Sequence, residues 1–174
     1  AATGTPVINI EASRAVTGAF YQAFASAFIL IALVLFFILR RITEVLVVMA
    51  PLLLAGLLTT AATVWTGMPF NFANIIALPL LMGIGVDSAL HILHRYKTPG
   101  VGDGPLLKTS TARAVLVSAL TTTASFGNLA VSPHAGTASM GVMLTIGLIL
   151  TILCTLIVLP ALLERFVKIE RAAS

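Results

Sequence analysis

Five stretches of mostly apolar residues constrain this 174-residue chain more than any other feature. They cover residues 20–39, 45–65, 72–93, 114–131 and 137–163. A helix needs about 20 such residues to cross the hydrocarbon core of a bilayer. Charged residues make up only 9% of the chain, against roughly 25% in a soluble domain. The sequence therefore predicts an all-α membrane protein, built as a bundle of five transmembrane helices.

The same composition excludes several other classes of protein. The single cysteine, Cys154, lies within an apolar stretch, so the chain has no disulfide framework. The ten basic residues give a formal net charge of +4, but they form no stripe that could follow a nucleic acid. A secreted disulfide scaffold, a disordered tail and a nucleic-acid-binding module are therefore excluded. We predict no cofactor and no nucleic-acid partner.

The basic residues are distributed unevenly between the two ends of the predicted bundle. If the helices alternate in direction, the connections 67–71 and 132–136 share one side, and neither contains Lys or Arg. Because basic loops stay in the cytoplasm, the asymmetry predicts a periplasmic N-terminus and a cytoplasmic C-terminus. The predicted parts are a periplasmic stub (1–19), the transmembrane bundle (20–171) with a cytoplasmic linker (97–112), and a tail (172–174). Nine of the ten basic residues fall on the cytoplasmic side: Arg40, Arg41, Arg95, Lys97, Lys108, Arg113, Arg165, Lys168 and Arg171.

Asp87 is the only charged residue within the five apolar stretches. Ionisable groups in transmembrane segments are costly and typically mark ion or proton pathways. His91 and His94 follow at i+4 and i+7, so the three side chains share one helix face and could relay protons. The alternatives are a protonated Asp87 that only forms a packing hydrogen bond, and an interfacial role for His94. A metal site is disfavoured, because no cysteine or second carboxylate is near.

Two further sets of residues could support Asp87. The helix of Asp87 also contains Pro79, Gly83 and Gly85. Proline removes a backbone hydrogen bond and glycine lowers helix propensity, which indicates either a hinge or close helix packing. Ser118, Thr122 and Ser125 of the fourth stretch could donate hydrogen bonds to the Asp87 carboxyl group, or could belong to ordinary packing of small residues. The string Gly83–Asp87 also approaches an intramembrane aspartyl protease signature. That chemistry requires a second membrane carboxylate, which the five stretches lack.

The segment Met82–Tyr96, with the sequence MGIGVDSALHILHRY, resembles the fourth or tenth transmembrane helix of the resistance–nodulation–division (RND) superfamily. It is most similar to the lipid-exporting MMPL branch, whose Gly-x-x-x-Asp motif is matched by Gly83 and Asp87. Residues 117–122 and 159–163 resemble the family's next and last helices. Residues 71–81 are similar to the corresponding stretch of bacterial hopanoid transporters. Many relatives have Tyr after the motif Asp, where this chain has Ser88, so an Asp–Tyr pairing is in doubt.

The resemblance implies a transporter of twelve spans in two halves, of which this chain supplies the last five spans of one half. The stub 1–19 would then end a periplasmic porter domain. The implied activity is proton-motive-force-driven export of a lipid, with hopanoid as the leading substrate, from the bacterial inner membrane. The implied partners are the lipid, the bilayer, and the other half and periplasmic domains of the same transporter. A homo-oligomer is left open. We predict no enzyme activity.

Three interpretations compete with the proton-driven lipid exporter. A sterol-sensing-type membrane module would bind lipid and regulate without pumping. An intramembrane hydrolase is disfavoured by the missing second acid. An inactive structural bundle would be stabilised by removing Asp87. The proton-driven exporter, unlike these three rivals, predicts a proton relay through Asp87, His91, Ser118, Thr122 and Ser125.

Overall fold

The computed structural model describes residues 5–68, 71, 76–98 and 109–167, and these residues form helices and short connections without a strand. Within these described ranges, five helices are long and apolar enough to cross a membrane. The predicted fold class is therefore confirmed. The helices are α1 (Thr5–Leu39), α2 (Ile42–Trp65), α3 (Ala77–Lys97), α4 (Ser110–Gly127), α5 (Ala135–Leu153) and α6 (Leu159–Leu162).

Helix α1 begins well before the first predicted span. It runs unbroken from Thr5, so residues 5–19 of the predicted stub continue the helix whose apolar part is Tyr21–Leu39. Only Arg40 and Arg41 separate α1 from α2, and Arg40 takes a left-handed conformation with φ of 55°. A connection this short places α1 and α2 side by side and antiparallel.

The centre of the bundle is formed by α2, α3 and α5, which pack on one another. One cluster of buried apolar side chains joins α2 and α3 to the end of the chain, and includes Val48, Leu52, Ile92 and Leu159. A second cluster joins α3 to α5 through Leu78, Leu81, Met143, Leu144 and Leu148. Burial of these side chains fixes which face of each helix points inward.

The fifth span is longer than predicted, running over Ala135–Val167. Its helix changes to single π turns at Cys154–Val158 and Leu163–Val167, on either side of α6. Pro160 has no N–H to donate to the carbonyl of Leu156. The N–H of Leu159 instead donates to the carbonyl of Cys154, five residues back. We attribute the first π turn to this proline, since π turns are a common way of accommodating a break in the α pattern.

Two ends of helices differ from the predicted spans. Helix α4 begins at Ser110 rather than at residue 114, and Thr109 caps it by accepting a hydrogen bond from the Ala112 N–H at 3.2 Å. Helix α2 begins at Ile42 and so includes Glu44. Asp87 is the only charged residue of the five predicted stretches, but the observed spans extend beyond those stretches and also contain Glu44, Arg95, Lys97, Arg113, Glu164 and Arg165. Most of the predicted linker, residues 99–108, lies outside the described residues.

Candidate functional site

Asp87 is the middle residue of the 21-residue helix α3. The buried face of α3 carries Leu81, Gly85, Ala89 and Ile92, which pack into the bundle. Asp87 lies on the opposite face, where 78% of its side chain is exposed. Asp87 is therefore on the outside of this five-helix bundle and not in its interior.

His91 lies one helical turn from Asp87, as the i+4 spacing predicts. Its Nε2 atom is 3.6 Å from Oδ1 of Asp87, and 63% of its side chain is exposed. This distance allows an electrostatic contact but exceeds that of a direct hydrogen bond. A small change of side-chain rotamer would bring the two atoms within hydrogen-bond distance.

A groove of about 390 Å³ lies between α3 and α4 and contains this pair. Helix α3 supplies Asp87, Ser88 and His91. Of the three predicted hydrogen-bonding residues of α4, only Ser118 lines the groove. Thr122 and Ser125 donate instead to their own helix, to the carbonyls of Ser118 and Thr121, each at 2.9 Å. The remaining lining residues, all from α4, are Ser110, Thr111, Ala114 and Val115.

Ser110 and Thr111 were missed because the predicted fourth span begins at residue 114. The spacing of residues in the sequence could have placed Thr111 beside Ser118. Positions 111, 115 and 118 follow i, i+4 and i+7 spacing, so Thr111 shares a helix face with Ser118. Both residues line the groove that also contains Asp87.

A second groove, of about 680 Å³, continues from Asp87 and His91 toward the C-terminal end of α3. It shares Thr111 with the first groove and passes His94 before reaching Lys97 and Thr98. Ile38 and Leu39 of α1 form part of its wall. The predicted column of Asp87, His91 and His94 therefore lines one continuous depression that ends among basic side chains.

The three residues predicted to act as a hinge or packing surface occupy different environments. Pro79 lies in the first turn of α3, where backbone N–H groups have no carbonyl partner within the helix. Gly83 faces open space. A Cβ atom on Gly85 would lie 2.5 Å from Cδ2 of Leu52 and 2.8 Å from Cγ2 of Thr151. Gly85 thus allows α2, α3 and α5 to approach closely, and hinge motion remains a prediction.

Glu44 is a second acidic group that the sequence reasoning missed. It lies in the first turn of α2, only 1% of its side chain is exposed, and its Oε2 atom accepts a hydrogen bond from Nζ of Lys97 at 2.6 Å. Lys97 also lines the second groove. The ion pair therefore joins the start of α2 to the end of α3, where the groove from Asp87 ends.

Among the residues that the structure describes, no three His, Cys, Asp or Glu side chains lie close enough together to hold a metal ion. The groove itself brings a carboxyl group and an imidazole group of α3 next to hydroxyl-bearing residues of α4, which are groups able to exchange protons or form hydrogen bonds.

Five apolar spanning helices, with a carboxyl–imidazole pair in a groove between two of them, define a class, the multi-pass membrane proteins. The chain belongs to the MMPL family, whose model matches residues 1–169. This confirms the predicted resemblance.

Two relatives carry the name hopanoid transporter HpnN. The protein of Rhodopseudomonas palustris is 40% identical over 164 residues, covering 94% of this chain. The protein of Burkholderia multivorans is 37% identical over 171 residues, covering 98% of this chain. The chain spans about a fifth of their length, 18% and 19% respectively.

Proposed function

We propose that this chain is part of the membrane domain of a proton-motive-force-driven exporter, which moves a lipid out of the bacterial inner membrane. The observation that carries the proposal is the Asp87–His91 pair, held in a groove that continues to the basic end of α3. The names of the two relatives make a hopanoid the leading substrate. The role is transport and not covalent catalysis.

The position of Asp87 gives the proton a means of driving a conformational change. A carboxyl group in a low-dielectric environment favours its neutral form, whereas hydroxyl donors and water favour the charged form. Two arrangements of α3 and α4 that differ in these contacts bind the proton with different affinity. Proton binding then shifts the balance between the two arrangements, since a ligand drives only a change in which its own affinity differs.

The exposure of Asp87 makes this chain dependent on a partner surface. A charged carboxylate exposed to hydrocarbon costs about 2.5–3.5 kcal/mol on insertion scales. We infer that the other half of the same transporter covers the face of α3 that carries Asp87 and His91. Polar groups or water at that contact would solvate the charged form. Ser118, which lines the same groove, would contribute from within this chain.

The basic residues also indicate which side of the membrane the groove opens to. We propose that the N-terminus is periplasmic and the C-terminus cytoplasmic, because Arg40, Arg41, Arg95 and Lys97 lie together at one end. The groove from Asp87 past His94 to Thr98 then opens toward the cytoplasm. Protons would leave by this route after binding to Asp87.

Transport by the full-length protein in proteoliposomes tests the proposal. Asp87→Asn keeps the size and hydrogen bonding of the side chain but cannot release a proton. It should fold normally and abolish export driven by a pH gradient. The matched control is Glu164→Gln, the same change at an exposed carboxylate near the end of the chain, which should transport at the wild-type rate. Full export by a folded Asp87→Asn protein would overturn proton carriage and favour the regulatory, sterol-sensing type of module.

The substrate is tested separately. Deletion of the gene should lower the amount of hopanoid in the outer membrane, and the wild-type gene should restore it while Asp87→Asn should not. Unchanged hopanoid with a change in another outer-membrane lipid would reassign the substrate. If no lipid changes, the proposal of lipid export is contradicted.

A further inference from the structure

An apolar groove of about 610 Å³ lies between α1 and α2, away from the Asp87 site. It is lined by residues between Phe28 and Phe36 on α1 and between Ile42 and Leu53 on α2. All eleven lining side chains are apolar. Two of them, Ala32 and Ala50, have small side chains, which leave depth between the larger Phe28, Phe36 and Met49. Its volume lies within the range of about 300–1,000 Å³ found for ligand pockets.

The length of the groove corresponds to one leaflet of a bilayer. From Ile42 to Leu53 the helix rises about 16 Å at 1.5 Å per residue. Half of a hydrocarbon core of about 30 Å is about 15 Å. An acyl chain that enters at the Ile42 end would thus reach the middle of the membrane within the groove.

The charge at the entrance is positive. Arg40 and Arg41 join α1 to α2 immediately before Ile42, and both side chains are exposed. The only acidic residue between positions 21 and 65 is Glu44. Its side chain is buried, and its Oε2 atom pairs with Nζ of Lys97. The groove is therefore apolar along its length and cationic at one end.

We propose that this groove binds an anionic phospholipid, with one acyl chain between α1 and α2 and its phosphate at Arg40 and Arg41. Both parts of the occupant are specified by the site, because the apolar walls take hydrocarbon and the exposed guanidinium groups attract phosphate. Arg40 is held at this position by the left-handed turn and by a 2.8 Å hydrogen bond from its N–H to the carbonyl of Phe36. The bound lipid would fill the space between α1 and α2. The inference does not depend on the transported substrate.

Native mass spectrometry of the full-length protein tests the proposal. The delipidated protein is titrated with phosphatidylglycerol and with phosphatidylcholine of the same acyl chains. Ala50→Phe fills the groove and should remove one tightly bound phosphatidylglycerol. The matched control is Ala61→Phe, because Ala61 is an exposed alanine of the same helix that does not line the groove. It should bind as the wild type does.

The charge at the entrance is tested by a second pair of variants. Arg40→Gln should lower the preference for phosphatidylglycerol over phosphatidylcholine about fivefold, because each arginine near a membrane surface contributes roughly 1 kcal/mol. The control Arg113→Gln removes an exposed charge from α4, which does not line the groove, and should leave the preference unchanged.

Two outcomes would overturn the proposal. Equal lipid binding by Ala50→Phe and Ala61→Phe would show that the groove holds no lipid. A change in oligomeric state of Ala50→Phe, with unchanged lipid binding, would show that a second copy of the chain covers the groove. Size-exclusion profiles identify any variant that has failed to fold, and Arg40→Gln then provides the test without altering the groove walls.

Discussion

The Nζ atom of Lys97 lies 2.6 Å from Oε2 of Glu44, and this contact joins the last residue of α3 to the first turn of α2. The two side chains differ in environment, since 35% of Lys97 is exposed and only 1% of Glu44. Among the described residues, the second oxygen of Glu44, Oε1, has no hydrogen-bond partner. The carboxylate therefore depends strongly on Lys97.

We expect Lys97→Met to destabilise the protein by roughly 1–3 kcal/mol. Removing one partner of a fully buried ion pair costs about 3–5 kcal/mol, and the partial exposure of Lys97 lowers that figure. Glu44→Gln should lower the free energy of unfolding by less than Lys97→Met does, because the Lys97 ammonium group can reach water. Thermal unfolding in detergent measures both variants. If Glu44→Gln destabilises the protein as much as Lys97→Met or more, the carboxylate does not depend on Lys97.

His91→Ala should slow proton-driven transport without abolishing it. His91 lies 3.6 Å from Asp87 in an open groove, where water can replace the imidazole group. Asp87→Glu should also retain part of the activity, because the acid remains while its position changes. Initial rates of transport in proteoliposomes measure the effect. The rate should be highest for the wild type, lower for His91→Ala and lowest for Asp87→Asn. Loss of all transport in His91→Ala would show that water does not replace the imidazole group.

Ser118→Ala should reduce transport more than Thr122→Ala or Ser125→Ala. Ser118 lines the groove with Asp87, whereas the hydroxyl groups of Thr122 and Ser125 donate to backbone carbonyls of α4. Each of the three changes removes one hydroxyl group from the same helix, so the variants control for one another. A larger effect of Thr122→Ala would support the relay as first predicted from the sequence.

Gly141→Ala and Gly83→Ala should change stability in opposite directions. A Cβ atom on Gly141 would collide with the backbone of Leu129 and Ala130, which has little room to move. Overpacking of this kind costs about 1–3 kcal/mol. Gly83 faces open space within a helix, where alanine gains up to about 1 kcal/mol over glycine. Thermal unfolding compares the pair, and a stable Gly141→Ala protein would show that α5 can shift away from residues 128–131.

Cysteine labelling should place the two ends of the bundle on opposite sides of the membrane. In a variant without native cysteines, Met68→Cys and His134→Cys should react with an impermeant reagent added outside spheroplasts. Gly102→Cys and Ala173→Cys should react only after lysis. The reason is the asymmetry of basic residues. Labelling of Gly102→Cys in intact spheroplasts would reverse the proposed orientation.

Much of the fold followed from local properties of the sequence. Long apolar stretches can satisfy their backbone groups in a bilayer only as helices or closed barrels, and uninterrupted runs of this length favour helices. The spacing of Asp87 and His91 likewise placed both side chains on one face of α3, because the helical period alone decides that relationship. The family could be recognised from the same segment, and its match over residues 1–169 confirms it.

Other features depended on how the helices pack. The sequence suggested that Ser118, Thr122 and Ser125 could act together, but the rotation of α4 against α3 brings only Ser118 into the groove of Asp87. It also gave no sign that Glu44 of α2 would meet Lys97 of α3, 53 residues later in the chain. Contacts between separate helices depend on rotation and crossing, which are set by burial of whole faces and not by local spacing.

The sequence by itself determined the number of spans, their helical form and the single titratable column on α3. Only the tertiary structure decided that this column lies on the outside of the bundle, with 78% of Asp87 exposed. The physical reason is that Gly85 and the large apolar residues of α3 pack against α2 and α5, which turns the opposite face outward. Helical periodicity fixes which residues share a face, but packing against the neighbouring helices decides where that face points.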